Sequence, residues 1–333
     1  MAVNVAIVGA TGAVGQEFRT VLAERKFPID GLRLLASSRS AGKTVEFMGQ
    51  MYTVEELTHD SFKGVQIAFF SAGGSVSREY APSAVKAGAI VVDNTSAFRM
   101  KEGIPLVVPE VNPEQIDKHN GLIANPNCST IIMNVPVWPL HKSNRVKRIV
   151  VSTYQAVSGA GAWGIYELDA QMKAYARGEP VRNEKFPHPI VNNLFSHNSK
   201  MAENGYNEEE NKMVQETRKI FCDPKIMITA TCVRVPVPRA HSESINLEFE
   251  RPMTVQQVRD ILASAPGVKI VDDPATNRFP MPLEASGQDE VLVGRIRQDI
   301  SRDDGRGIDL FVSGDQVRKG AATNAVQIAE RLI

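Results

Sequence analysis

Cysteine is scarce in this chain: three residues of 333, Cys128, Cys222 and Cys232, an odd number with no C-x-x-C pair. That argues against a disulfide framework and against a structural zinc site, and so few thiols suit a reducing cytoplasm. Net charge is absent as well. Thirty-eight Lys and Arg balance 38 Asp and Glu, so no bulk field draws the chain to nucleic acid or an anionic membrane, and any charged function has to be local. No apolar run approaches the roughly 18 residues that a membrane span needs. The amino-terminal MAVNVAIVGATGAVG has no charged region ahead of its apolar stretch and reads as a buried strand, not a signal peptide. Internal repeats and low-complexity tracts are missing too. What remains is an ordinary globular composition, 43% hydrophobic and 23% charged, over a length that predicts two domains.

The first part of the chain alternates short apolar runs with helix-like segments, the pattern of a parallel α/β sheet. Strands are expected over residues 3–8, 32–36, 65–70, 90–93 and 122–124, with amphipathic crossover helices over 15–25 and 77–87. From about Val146 the texture shifts to longer β-type runs at 148–155, 226–235, 244–250, 291–298 and 308–313, with polar loops and few helices between them. This predicts an antiparallel or mixed sheet in a second domain. Residues 176–207, rich in Asn, Pro, Lys and Gly, read as a long loop of the kind that serves function or contact. Residues 315–332 place Val317, Ala321, Ala325, Ile328 and Ala329 on one face, as a terminal helix packing back on the first domain. The expected division is residues 1–127 as a Rossmann-type nucleotide-binding domain, 128–314 as an α+β catalytic and dimerisation domain, and 315–333 as the returning helix.

Gly9-Ala10-Thr11-Gly12-Ala13-Val14-Gly15 follows the first predicted strand and opens the first predicted helix. Glycines there permit positive φ and let backbone N–H groups approach a pyrophosphate, whose charge the helix amino terminus stabilises. The spacing is G-x-x-G-x-x-G instead of the usual G-x-G-x-x-G, and a turn without a ligand is the alternative. An NAD-selective site carries Asp or Glu about 20 residues past the glycines to hold the ribose 2′-hydroxyl. Here the second strand ends in Ser37-Ser38-Arg39-Ser40-Ala41-Gly42-Lys43, with no carboxylate. Hydroxyls and a guanidinium suit a 2′-phosphate, which favours NADP; a solvated basic loop is the other reading. A second turn, Ser71-Ala72-Gly73-Gly74-Ser75, follows a further strand at the carboxyl edge of the sheet, where open α/β sheets bind ligands.

Asn125-Pro126-Asn127-Cys128-Ser129-Thr130 sits between a predicted strand and the apolar run Ile131-Ile132-Met133, which places Cys128 near a helix amino terminus. Dipole and unpaired N–H groups there favour a thiolate, so Cys128 is a candidate nucleophile; a buried structural cysteine is the alternative. Cys222 and Cys232 lie in apolar or strand-like stretches and read as structural. Among six histidines, His241 stands out just past a β run, in a loop stiffened by Pro236 and Pro238, as a proton-transfer partner; an exposed surface histidine is the other reading. A thiolate beside a nicotinamide can add to an aldehyde, lose hydride and leave a thioester for water or phosphate to take.

Together the glycine turn, the N-P-N-C-S-T loop, Gln155-Ala156-Val157-Ser158-Gly159-Ala160-Gly161 and the stretch from Arg234 to His241 resemble the aspartate-β-semialdehyde dehydrogenase family, over nearly the whole chain. The resemblance implies reversible, NADP-dependent oxidation of L-aspartate-4-semialdehyde plus phosphate to L-4-aspartyl phosphate. In the cell it implies the reductive direction, toward lysine, diaminopimelate, threonine, methionine and isoleucine. It further implies a homodimer or dimer of dimers, with no metal, nucleic acid or membrane partner. By matching position, Cys128 is implied as nucleophile, His241 as acid/base, Gln155 as orienting the acyl intermediate and Arg234 as clamping the substrate carboxylate. In Glu208-Glu209-Glu210-Asn211-Lys212, Lys212 is implied as a phosphate contact. A glutamate there meets the substrate ammonium; counting back from the lysine favours Glu209, with the register open. Arg99 and Asn127 are the other implied phosphate contacts. The implied cofactor contacts are Gly9, Thr11, Gly12, Ala13, Val14, Ser38, Arg39, Ser40, Ser158, Gly159 and Gln316. Rival readings are an N-acetyl-γ-glutamyl-phosphate reductase, whose uncharged acylated nitrogen leaves Glu209 without purpose, and a non-catalytic NADP-binding sensor.

Overall fold

A computed structural model describes residues 2–333, in two compact units: residues 2–127 with 321–333, and residues 128–320. The first unit runs β1 (Val3–Val8), α1 (Ala13–Glu24), β2 (Ile29–Ala36), β3 (Thr44–Phe47), β4 (Gln50–Glu56), β5 (Ile67–Phe70), α2 (Gly74–Lys86), β6 (Ile90–Asp93) and β7 (Leu122–Ala124). Its sheet has the order β3-β4-β2-β1-β5-β6-β7, parallel throughout except for the β3–β4 pair. β5 is apolar along its length, and β1 is apolar apart from Asn4, because crossover helices cover both faces of a parallel sheet. On one face Phe18 of α1 stacks on Phe69 at 4.7 Å between ring centroids, and on the other Phe62 stacks on Phe70 at 5.8 Å.

The second unit runs α3 (Cys128–Ser143), β8 (Val146–Gln155), α4 (Ala162–Ala176), β9 (Phe195–Ser196), α5 (Glu208–Ile220), β10 (Met227–Arg234), β11 (His241–Phe249), α6 (Val255–Ala263), β12 (Val268–Ile270), α7 (Pro282–Ala285), β13 (Val291–Gln298) and β14 (Gly307–Gly314). Its sheet, ordered β12-β13-β14-β11-β8-β10-β9, is mixed: β8 lies parallel to β10 and antiparallel to β11. α3 is buried nearly all round, as a helix apolar on every side must be.

Several elements differ from the sequence expectations. The second strand begins at Ile29, and the β3–β4 hairpin was not anticipated. The second unit is richer in helices than its polar loops suggested, with α4 and α5 lying between the expected β-type runs. The terminal segment is not one helix. Asp315 makes a turn, its Oδ1 accepting from Val317 N–H at 2.9 Å, a π-helical turn covers Arg318–Ala322, and only Thr323–Glu330, α8, is α-helical. α8 belongs to the first unit, where Ala325, Val326 and Ile328 join the Phe18 core and Arg25 pairs with Glu330 at 2.7 Å. Cys222 is exposed beyond the end of α5 at φ +51°, not in a strand; Cys232 is buried on β10. Among the described residues no helix is long and apolar enough to cross a membrane.

Candidate active site

Strand register builds the centre of the second unit. Arg234, the last residue of β10, pairs with Gln155, the last of β8, and on the other side of β8 the pairing of Ser242 with Tyr154 brings His241 level with Gln155. Three adjacent strands thus present a guanidinium, an amide and an imidazole in one row. Cys128 is the first residue of α3, where the helix dipole favours a thiolate. Its Sγ lies 3.6 Å from His241 Nε2. Gly320 allows this approach, since a Cβ there would stand 2.9 Å from Cys128 Cβ.

His241 is not in an exposed polar loop. It opens β11 and is fully buried, and burial, with the Arg234 guanidinium nearby, holds its pKa well below the usual imidazole value. Ala156 N–H donates to its Nδ1 over 3.0 Å. Gln155 Nε2 donates to Ser129 Oγ and to Glu209 Oε1, both at 3.0 Å, while its Oε1 accepts from Thr153 Oγ1 at 3.3 Å. Glu209 also meets Lys212 Nζ at 3.2 Å.

The three consecutive glutamates separate by what each carboxylate does. Glu208 is exposed. Glu210 completes a capping box with Asn207 and accepts from Cys232 N–H, so its oxygens serve the helix and the sheet. Glu209 and Glu210 are both buried, but only Glu209 is turned to Gln155.

Arg234 donates from Nη1 to Ala156 O and from Nη2 to His197 Nε2, each over 2.7 Å, and its Nε is buried without a partner. A buried orphan donor on a guanidinium is what an incoming carboxylate would satisfy. His197 was passed over in the sequence because nothing in the long irregular segment marks it. Ser158 and Gln316 hydrogen-bond each other, Gln316 Oε1 also accepts from Ala240 N–H at 2.8 Å, and Gly159 lies against Arg234 and His241.

The remaining sequence-selected residues lie in the first unit. Gly9 takes φ +87°, and a Cβ there would meet Ser71 O at 2.8 Å, so only glycine fits where β1 passes this backbone. Gly12 precedes α1 with no side-chain cap, leaving the N–H groups at Ala13 and Val14 for an anion. Thr11 Oγ1 lies 3.5 Å from Ser40 Oγ, bringing the Ser38–Arg39–Ser40 turn beside the glycines, and the Arg39 side chain is exposed there. Arg99 is buried, donating from Nε to Asn125 O and from Nη2 to Asn94 O at 2.9 Å each; Asn127 is buried two residues further along the same loop.

Comparison with known proteins identifies the family of the chain. A family profile described as "Semialdehyde dehydrogenase, NAD binding domain" matches residues 4–119, and one described as "Semialdehyde dehydrogenase, dimerisation domain" matches residues 137–319. The aspartate-semialdehyde dehydrogenase of Synechocystis sp. is 56% identical over 331 residues, covering 99% of this chain and 97% of that protein. The chain belongs to the aspartate-semialdehyde dehydrogenase family. Among solved members, aspartate semialdehyde dehydrogenase II of Vibrio cholerae, complexed with ASA, superposes with a TM-score of 0.97 at 49% identity, covering 100% of this chain and 98% of that one. The Candida albicans enzyme, solved with NADP, superposes at 0.77 with 26% identity, covering 100% and 98%. Family membership accounts for the fold class, a Rossmann-like parallel-sheet unit and a unit with a mixed sheet.

Proposed function

We propose that the chain catalyses the reversible, phosphate-dependent oxidation of L-aspartate-4-semialdehyde to L-4-aspartyl phosphate through a thioester on Cys128. The observation that carries this reading is the row of Arg234, Gln155 and His241 beside Cys128, with Glu209 closing one side. Arg234, with its orphan Nε, takes the substrate α-carboxylate in a bidentate grip that Lys could not give. Glu209 takes the ammonium. An acylated nitrogen would carry no charge for Glu209 to meet, which sets the N-acetyl-γ-glutamyl-phosphate reductase reading aside. Cys128 attacks the aldehyde carbon, His241 manages the charge formed on its oxygen, and Gln155 holds the acyl group while phosphate approaches. Lys212, Arg99 and Asn127 are the phosphate contacts that the family resemblance implies.

NADP suits the first unit because the uncapped start of α1 offers N–H groups to a pyrophosphate and Ser38, Arg39 and Ser40 offer hydroxyls and a guanidinium to a 2′-phosphate. Gly9, Thr11, Gly12, Ala13 and Val14 would line the dinucleotide, and the family resemblance implies Ser158, Gly159 and Gln316 as further cofactor contacts. When bound, it supplies a hydride acceptor in the oxidative direction and a donor in the reductive one. The reading extends to a division of labour in which residues 1–127 bind dinucleotide and 128–314 carry catalysis and dimerisation. It also places a homodimer or dimer of dimers in the cytoplasm, feeding lysine, diaminopimelate, threonine, methionine and isoleucine synthesis.

The experiment is stopped-flow absorbance at 340 nm with NADP or NAD and phosphate absent or saturating. The unaltered protein should give a burst of NADPH without phosphate, turnover with it, and weaker use of NAD. Cys128→Ser should abolish both phases while binding NADP as before, since an alcohol is a poor nucleophile here and a poor leaving group. Turnover by that variant would sink the thioester, and NADP binding without any turnover by the unaltered protein would favour a sensor.

A further inference from the structure

The irregular segment that follows α4 is seated on that helix by two buried side chains. Glu167 accepts from three successive backbone N–H groups, those of Glu184 at 2.9 Å, Lys185, and Phe186 at 3.3 Å. One turn along the same helix face, Gln171 accepts from Ile190 N–H at 2.8 Å and Val191 N–H at 3.1 Å, and donates to Arg182 O at 2.9 Å. These side chains give the segment the backbone partners that a sheet would otherwise supply. What the seat delivers is Phe186. Its ring is 2% exposed, and Arg234 Cζ stands 5.8 Å from its centroid, within the range at which a ring face attracts a guanidinium. Leu168 and Ile190 pack in the same cluster as the ring, and α4 passes it at Gly164, where an added Cβ would stand 3.2 Å from Phe186 Cζ. The segment then returns to the sheet as β9, where Phe195 pairs with Arg234 and His197 meets Arg234 Nη2.

Every donor of a guanidinium lies in its plane, so a ring over the face takes none of them away. Nη1 is engaged by Ala156 O and Nη2 by His197, while the orphan Nε lies at an edge. A covered face directs an anion to the edges, the approach that a bidentate carboxylate contact requires. Burial disfavours the charge on Arg234, and the Glu209 carboxylate partly offsets this. The ring adds to that offset without being an anion that a substrate would have to displace. We infer that Phe186, seated by Glu167 and Gln171, is a positioning residue of the substrate-carboxylate site, holding the Arg234 guanidinium in one plane with its edge open to a small α-carboxylate. The inference rests on the proposed role of Arg234 and adds the residues that aim it.

The first arm of the test is steady-state kinetics of Phe186→Leu and Glu167→Gln. Leucine fills much of the space of the ring but has no π face. Glutamine leaves the ring in place and sets an NH2 group against the amides of residues 184–186, so the test does not depend on one variant folding. Phe186→Leu should raise the Michaelis constant for the semialdehyde about tenfold and Glu167→Gln about threefold, with kcat falling less than about twofold in each. The second arm needs no turnover. Iodoacetate and iodoacetamide alkylate the same thiol, but only iodoacetate carries a carboxylate, and mass spectrometry of the Cys128 peptide follows each rate. In Phe186→Leu the iodoacetate rate should fall about tenfold, and in Glu167→Gln about threefold, while the iodoacetamide rate stays within about twofold. Two alkylation rates that change together, an unchanged Michaelis constant or a loss confined to kcat overturns the inference. The underlying reading fails separately, by an unchanged Michaelis constant for the semialdehyde in Arg234→Lys.

Discussion

His197 ties the two ionic arms of the proposed substrate cradle together. Its Nε2 accepts from Arg234, so its Nδ1 carries the proton toward Ser199 Oγ at 3.1 Å, and that oxygen accepts from Glu209 N–H at 3.2 Å. Replacing it with Ala should raise the Michaelis constant for the semialdehyde about tenfold while kcat changes less than about twofold, because a positioning bond worth about 1.4 kcal/mol is lost from binding alone. A loss confined to kcat would contradict this. Burial, and Arg234 beside it, lower the His197 pKa to about 4, below the 6.5 of an unfolded histidine. Above pH 6.5 both states are neutral; as pH falls toward 4 only the unfolded chain gains the proton, so stability is lost across that window, on the order of 2 kcal/mol. Glu243 shows the opposite sign. It is fully buried with both carboxylate oxygens unpartnered, and burial raises its pKa well above the ordinary value, so at neutral pH the unfolded chain ionises and the folded one does not. Glu243→Gln should therefore raise the melting temperature at pH 8 and leave it nearly unchanged at pH 4; an equal change at both would show that ionisation is not the cause. Nothing in the sequence marks His197 or Glu243, since a lone histidine in a loop and a glutamate in a strand acquire meaning only from what folds over them.

At the scale of elements, α5 puts Glu209 and Lys212 in place by the way it starts. Asn207 accepts from Glu210 N–H at 2.9 Å and Glu210 returns the bond to Asn207 N–H at 2.8 Å. Asn207→Ala should destabilise the protein by about 1 kcal/mol in urea unfolding and raise the Michaelis constants for semialdehyde and phosphate together, because both contacts ride on this first turn. Unchanged Michaelis constants would detach the cap from the site. Elements with a strong pattern were legible: β1, β6, β7 and β13 match the apolar runs that announced them. The β3–β4 hairpin was not, because its turn places Met48 at φ +50° before Gly49 at φ +78°, and Met-Gly lacks the Asn or Asp that ordinarily signals such a turn. The start of α3 at Cys128 could be read from the polar loop giving way to apolar residues, but the π-helical turn that brings Gly320 to Cys128 could not.

At the scale of the molecule, the mixed sheet of the second unit packs α3, α5 and α6 on one side. The other side carries Tyr154, 39% exposed, with its ring 6.1 Å from that of Phe311 and Val150 on the same strand face. That face is where the proposed homodimer would bury apolar area. Sedimentation velocity should find a dimer or larger for the unaltered protein and a shift toward monomer for Tyr154→Glu; a monomer in the unaltered protein ends the proposal. What the sequence determined by itself was the kind of chain and the local signals on which the proposed chemistry rests. Glycines after an apolar strand, no carboxylate after the second strand and a cysteine at a helix start are local signals, and local backbone preference and side-chain chemistry suffice to interpret them. What only the tertiary structure decided was which polar groups share an environment. Register across β10, β8 and β11 set Arg234, Gln155 and His241 in one row, the capping box resolved Glu209 from its neighbours, and a single backbone N–H was set against Nδ1 of His241. These depend on pairings between residues tens of positions apart, and on burial that makes each unpartnered proton costly, neither of which is written in any stretch of sequence.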